Sequence, residues 1–128
     1  MWAINRNSYI LLYKILNKKS KMETKTAFLE IFGESPMLRV LDFLIVNEDF
    51  DYSMTDIASL SGVGYSTLKL FWKKLEENKI VKQTRAVGKA KMYRLNSGNP
   101  VIMKFRDFYW ETTKHAVHGE FKENLAAI

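Results

Sequence analysis

The chain has no cysteine, only two prolines and six glycines, and no long unbroken apolar run among its 128 residues. Without cysteine there is no disulfide framework, no thiolate metal site and no cysteine nucleophile, which agrees with a reducing interior. The most apolar early stretch, residues 9–13, is broken by Lys14 and followed by no small-residue cleavage site, so it reads as neither a signal peptide nor a membrane span. A cytoplasmic protein is expected. Also missing are a nucleophile beside a base, a phosphate-binding glycine loop and a carboxylate dyad, so neither an enzyme nor a bound cofactor is expected.

Acidic residues are scarce in two places, and the scarcity is informative. Residues 64–94 carry nine Lys/Arg (Lys69, Lys73, Lys74, Lys79, Lys82, Arg85, Lys89, Lys91 and Arg94) against Glu76 and Glu77, a local net charge of +7. Residues 1–21 hold five bases and no acid, whereas residues 22–63 hold two bases and eight acids. The overall charge of +6 is modest. Its segregation is what a footprint for a polyanion looks like.

With 47% hydrophobic residues the chain is long enough for one domain with a core, plus extensions. Residues 1–21 include Ile10, Leu11, Ile15 and Leu16 at near-helical spacing. They read as a basic extension or short helix, with an added dimer element and a disordered arm as alternatives. A short helix is predicted over residues 24–32, closed by Gly33. Ser35 as N-cap and Pro36 at the first helical position start the next helix, with Met37, Leu38, Leu41, Leu44 and Ile45 on a broad apolar face. A polar turn over residues 47–51 ends it.

Ser53-Met54-Thr55-Asp56 fits a capping box, and the acid in the first turn also suits the helix dipole. The helix that follows, residues 54–60, is broken by Ser61-Gly62-Val63-Gly64, where glycine permits a tight inter-helix turn. A second helix over residues 65–78 sets Leu68, Phe71, Trp72 and Leu75 at i, i+3, i+4 and i+7, facing a core. Residues 80–87 and 91–95 then read as two strands joined through Gly88-Lys89-Ala90, with Tyr93 and Leu95 on the core side.

A helix, a turn, a second helix and a basic hairpin are the parts with which a winged helix-turn-helix meets duplex DNA. Tyr65, Ser66 and Thr67 occupy the first turn of the second helix, and Lys69 follows about one turn on, within reach of base edges in a major groove. Leu70 has two readings, contact with a thymine methyl or packing under a neighbouring loop. Lys73 and Lys74 are assigned to backbone phosphates. On the hairpin, Arg85, Lys89 and Lys91 suit phosphates or a narrow minor groove.

Residues 35–105, a little over half of the chain, resemble the small archaeal winged-helix regulators, distantly similar to the MarR and ArsR groups. The likeness rests on Ser35-Pro36, Val40-Leu41-Asp42-Phe43-Leu44, Asp56-Ile57-Ala58, Ser66-Thr67-Leu68, residues 85–90, Tyr93-Arg94-Leu95-Asn96 and Asn99-Pro100. It implies a mainly α fold with a small β-hairpin, here carrying extra N- and C-terminal helices, and a DNA-binding transcriptional regulator. Two departures stand out. Gly64 precedes the second helix where such proteins often carry Ser or Asp, and the cysteine metal site of the ArsR type is absent.

After Asn99-Pro100 a helix from Val101 to about Val117 is apolar on several sides. Val101, Phe105, Phe108, Tyr109 and Trp110 are therefore assigned to a homodimer interface. Three divisions result: residues 1–21, a winged-helix domain over 22–98, and a dimerising helix over 99–128. Glu111, His115 and His118 share one helical face but fall one ligand short of a closed metal site, and read as hydrated surface. The alternatives to DNA are a winged-helix module that binds protein within transcription machinery and, third, an RNA-binding protein.

Overall fold

The computed structural model describes residues 25–126. It is mainly helical with a small three-stranded antiparallel sheet, in the order α1 (Ala27–Phe32), α2 (Pro36–Val46), β1 (Tyr52–Ser53), α3 (Met54–Ser61), α4 (Tyr65–Glu77), β2 (Val81–Val87), β3 (Ala90–Leu95) and α5 (Pro100–Ala126). The reading of residues 1–21 as a basic extension or short helix falls outside the described residues. Among those described, no helix is long and apolar enough to cross a membrane.

Two compact units are present, Glu34–Arg106 and a second that joins α1 to the chain from Asp107 onward. These bounds differ from a division at residues 22 and 99. The physical reason is aromatic: Phe28 of α1 meets Tyr109 at 5.2 Å between ring centroids, and Phe32 meets Phe108 at 5.2 Å. Ala27 and Val117 add a small buried cluster, with Ala116 packed against it.

Within Glu34–Arg106 local chemistry sets the helix ends. The Ser35 hydroxyl accepts the Leu38 N–H at 3.3 Å with Pro36 beside it, and the Ser53 hydroxyl accepts the Asp56 N–H at 3.2 Å. Each bond satisfies a donor that helix geometry leaves without an intrahelical acceptor. Gly62 closes α3 in the left-handed conformation (φ 75°), and the Arg39 guanidinium donates to its carbonyl at 3.1 Å. At the end of α4 the Ile80 N–H reaches the Leu75 carbonyl at 2.9 Å and the Lys79 N–H reaches that of Glu76 at 3.0 Å. Lys79 therefore occupies the left-handed position (φ 58°) of a Schellman cap, where glycine is usual. Asn99 secures the next junction. Its amide donates to the Asn78 and Lys79 carbonyls, while its side-chain oxygen accepts the Val101 N–H and starts α5.

The core of this unit holds Val40, Leu44 and Ile45 of α2, Ile57 and Ala58 of α3, Leu68, Trp72 and Leu75 of α4, Tyr93 and Leu95 of β3, and Ile102 of α5. Trp72 and Tyr93 meet edge to face at 5.1 Å, so α4 is keyed to the sheet by an aromatic pair. Sheet order is β1-β3-β2. β1 is a strand the sequence did not signal: Tyr52 pairs with Tyr93 and Ser53 with Met92. Its two residues become a strand only because β3 offers an open edge and because the Tyr52 ring packs on Phe43 at 4.9 Å.

The hairpin turn is also tighter than expected. Val87 pairs with Ala90, leaving Gly88 and Lys89 as a two-residue turn with Gly88 at positive φ (62°), the first-position requirement of a type II′ turn. A register shift between Gln83 and Arg85 leaves Thr84 as an extra residue in β2.

Candidate nucleic-acid interface

Three elements of the Glu34–Arg106 unit meet at one cleft: the N-terminus of α3, Tyr65 at the start of α4, and the hairpin. α4 is oriented by Leu68, Trp72 and Leu75, which are 0%, 2% and 6% exposed. At about 3.6 residues per turn, the stripe opposite these three is Ser66, Leu70, Lys73 and Glu77. All four are exposed, and Leu70, at 85%, is the barest large hydrophobic residue among those described. Lys73 lies 3.9 Å from Glu77, both side chains open to water, a pairing that contributes little to stability.

Tyr65 and Lys69 lie to one side of that stripe. The Lys69 ammonium sits 5.7 Å from the centroid of the Tyr65 ring, within cation–π range. Tyr65 also lines a cleft of about 280 Å³ with Ser53, Met54 and Thr55 at the start of α3, and Lys89, Ala90, Lys91 and Tyr93 of the hairpin. Burial raises the pKa of the Tyr93 phenol, so its hydroxyl stays neutral near pH 7. Among the residues read from the sequence as base or phosphate contacts, Tyr65, Lys89 and Lys91 are thus brought together. Ser66, Lys69, Lys73 and Lys74 are exposed on α4, whereas Thr67 is half-buried.

From Lys82 to Lys91 every hairpin residue is exposed, so this arm has no hydrophobic anchor of its own. Its anchor is ionic. Arg85 donates through Nε to Asp51 Oδ2 at 2.9 Å and through a terminal nitrogen to Oδ1 at 3.1 Å, and the Thr84 hydroxyl donates to the same carboxylate. The Arg85 and Thr84 hydrogen bonds hold the Asp51 carboxyl down at about 2, well below its ordinary value. Arg85 is therefore not simply a surface cation awaiting a phosphate: its charge is already matched by Asp51, although its side chain remains 63% exposed. The sequence reading missed Asp51, Thr84, Ser53 and Thr55. Ser53 appears there only as a helix cap, and nothing local links Asp51 to a residue 34 positions away.

The assigned dimer residues divide. Tyr109 and Trp110 are 1% and 8% exposed, covered by the chain itself, so neither is surplus surface. They share one stripe of α5 with Thr113 and Val117, both buried. Val101 and Phe108 are 61% and 46% exposed, and Phe105 is half-buried. The threonines inside the helix satisfy themselves: the Thr112 and Thr113 hydroxyls donate to the Phe108 and Tyr109 carbonyls at 2.9 and 3.2 Å. Glu111 accepts from Lys114 at 3.0 Å, and His115 and His118 are exposed.

No protein-family model matches the chain, and no curated protein shows significant similarity to it.

Proposed function

We propose that this protein is a cytoplasmic, sequence-specific regulator of transcription that binds double-stranded DNA through a winged helix-turn-helix. α4 would enter the major groove, and the hairpin would lie along the adjacent minor groove or its phosphates. One observation carries this most: a helix firmly seated by Leu68, Trp72 and Leu75 presents Ser66, Leu70 and Lys73 outward, beside a cleft whose rim bears Lys89 and Lys91. The succession α2, β1, α3, α4, β2, β3 and the sheet order β1-β3-β2 are compatible with that fold. The exposed Val101 and Phe108 on α5 support a homodimer, whose two α4 helices would read half-sites about 34 Å apart.

Selection of bound fragments from random duplex DNA tests this directly. The expected outcome is an enriched inverted repeat with half-sites about one helical turn apart, and failure to enrich any sequence overturns the specific-regulator reading. A winged-helix module for protein partners is the second reading. Leu70 favours it, because an apolar side chain 85% exposed on a helix face also suits a protein contact.

A further inference from the structure

We infer that Leu70 is a specificity residue that reads the C5 methyl group of a pyrimidine, thymine in ordinary duplex DNA. This rests on the DNA-binding reading above and extends it to the chemistry recognised. Two roles were open to Leu70 in the sequence, and its 85% exposure removes packing under a loop. An isolated exposed leucine is ordinary on a protein surface. Its position is what distinguishes this one.

Leu70 lies at the centre of the stripe directly opposite Leu68, Trp72 and Leu75, one turn beyond Ser66 and one turn before Lys73. With the buried face fixed by the core, this stripe is the part of α4 that projects furthest, and Leu70 is its only apolar member. Lys69, Lys73 and Lys74 surround it, so whatever docks there presents an apolar spot within an anionic frame. The floor of a DNA major groove meets that description, with a methyl group on each thymine between two phosphate backbones. Glu77 closes the C-terminal end of the stripe, which confines the contact to the first half of the helix. Tyr65, which lines the cleft, and Lys69 beside its ring are displaced to one side of the stripe, and are better placed for backbone and groove edge than for its floor.

The test compares binding of the full chain to an AT-rich duplex of roughly 30 base pairs, about three helical turns, with binding to the same duplex carrying deoxyuridine for every thymine. The wild type should prefer the methylated duplex by about fourfold per bound protomer, the worth of burying one methyl-sized group, at the same salt dependence. Leu70→Ala should bind both duplexes equally, with its salt dependence unchanged because no charge is removed. The substitution lies on an open helix surface, and thermal melting verifies that the fold is retained. Steep salt-dependent binding by the wild type without preference for thymine overturns the role of Leu70 and leaves the DNA reading standing. The same result follows if the preference survives in Leu70→Ala. Absence of binding to either duplex overturns both.

Discussion

α4 and the hairpin are both basic and both exposed, yet they are held in opposite ways. α4 has one side sunk in the core through Leu68, Trp72 and Leu75, so the direction of every outward side chain is fixed by packing. The hairpin beyond Val81 buries nothing until Tyr93, and outside the β1 pairing at Met92 and Tyr93 the Asp51 carboxylate is its side-chain tie to the body. Fixed direction suits readout of base edges, which demands that donors and methyl contacts meet a defined register. A lightly tethered arm suits phosphates, whose positions vary with groove width. Equal charge therefore does not imply equal role.

Removing the seat of α4 should have the largest consequence. Leu68→Ala should lower the unfolding free energy in urea by about 2–5 kcal/mol, whereas Val87→Ala on the hairpin should stay within about 0.5 kcal/mol. Similar losses at both positions would erase the distinction.

Among the cations the difference should appear in salt dependence. Lys89→Ala should reduce the slope of log K against log salt by about one. Arg85→Ala should reduce it by less, because Asp51 already neutralises the guanidinium, and Asp51→Asn should steepen it as Arg85 is released. Equal reductions for Lys89 and Arg85 would mean that Arg85 abandons Asp51 when DNA binds.

The tether itself should respond to acid. Because the Asp51 carboxyl in the fold titrates at about 2 rather than 3.8, its contribution is fully present above the unfolded value and is lost as pH falls through about 2. A carbon-detected NMR titration of the Asp51 carboxyl should place its midpoint there, and in Arg85→Ala the midpoint should return toward 3.8. A wild-type midpoint near 3.8 would mean the pair is not held in solution.

What the sequence made legible was local. Ser35-Pro36, Ser53 and Gly62 act through bonds spanning a few residues, and the spacing of Leu68, Phe71, Trp72 and Leu75 repeats within one helix, so caps and turn were readable, and the buried face too except at Phe71, which is only half-buried. β1 was not, because Tyr52–Ser53 is a strand only by virtue of Tyr93 and Met92. The Thr84 bulge and the Asp51–Arg85 pair likewise depend on partners far along the chain. α5 was half legible. Its apolar residues do exceed one face, but which of them the chain covers itself, as with Tyr109 and Trp110, depends on tertiary packing that helical periodicity does not specify.

If α4 and the hairpin together form a surface for duplex DNA, binding to duplex must weaken steeply as salt rises. With about five phosphates neutralised per protomer, log K should fall against log salt with a slope of roughly −4 to −5 per protomer. Replacement of Lys69, Lys73 and Lys89 together by alanine should flatten that slope by about three. A slope near zero in the wild type, or no binding to duplex at low salt, would mean that α4 and the hairpin do not form a DNA-binding surface.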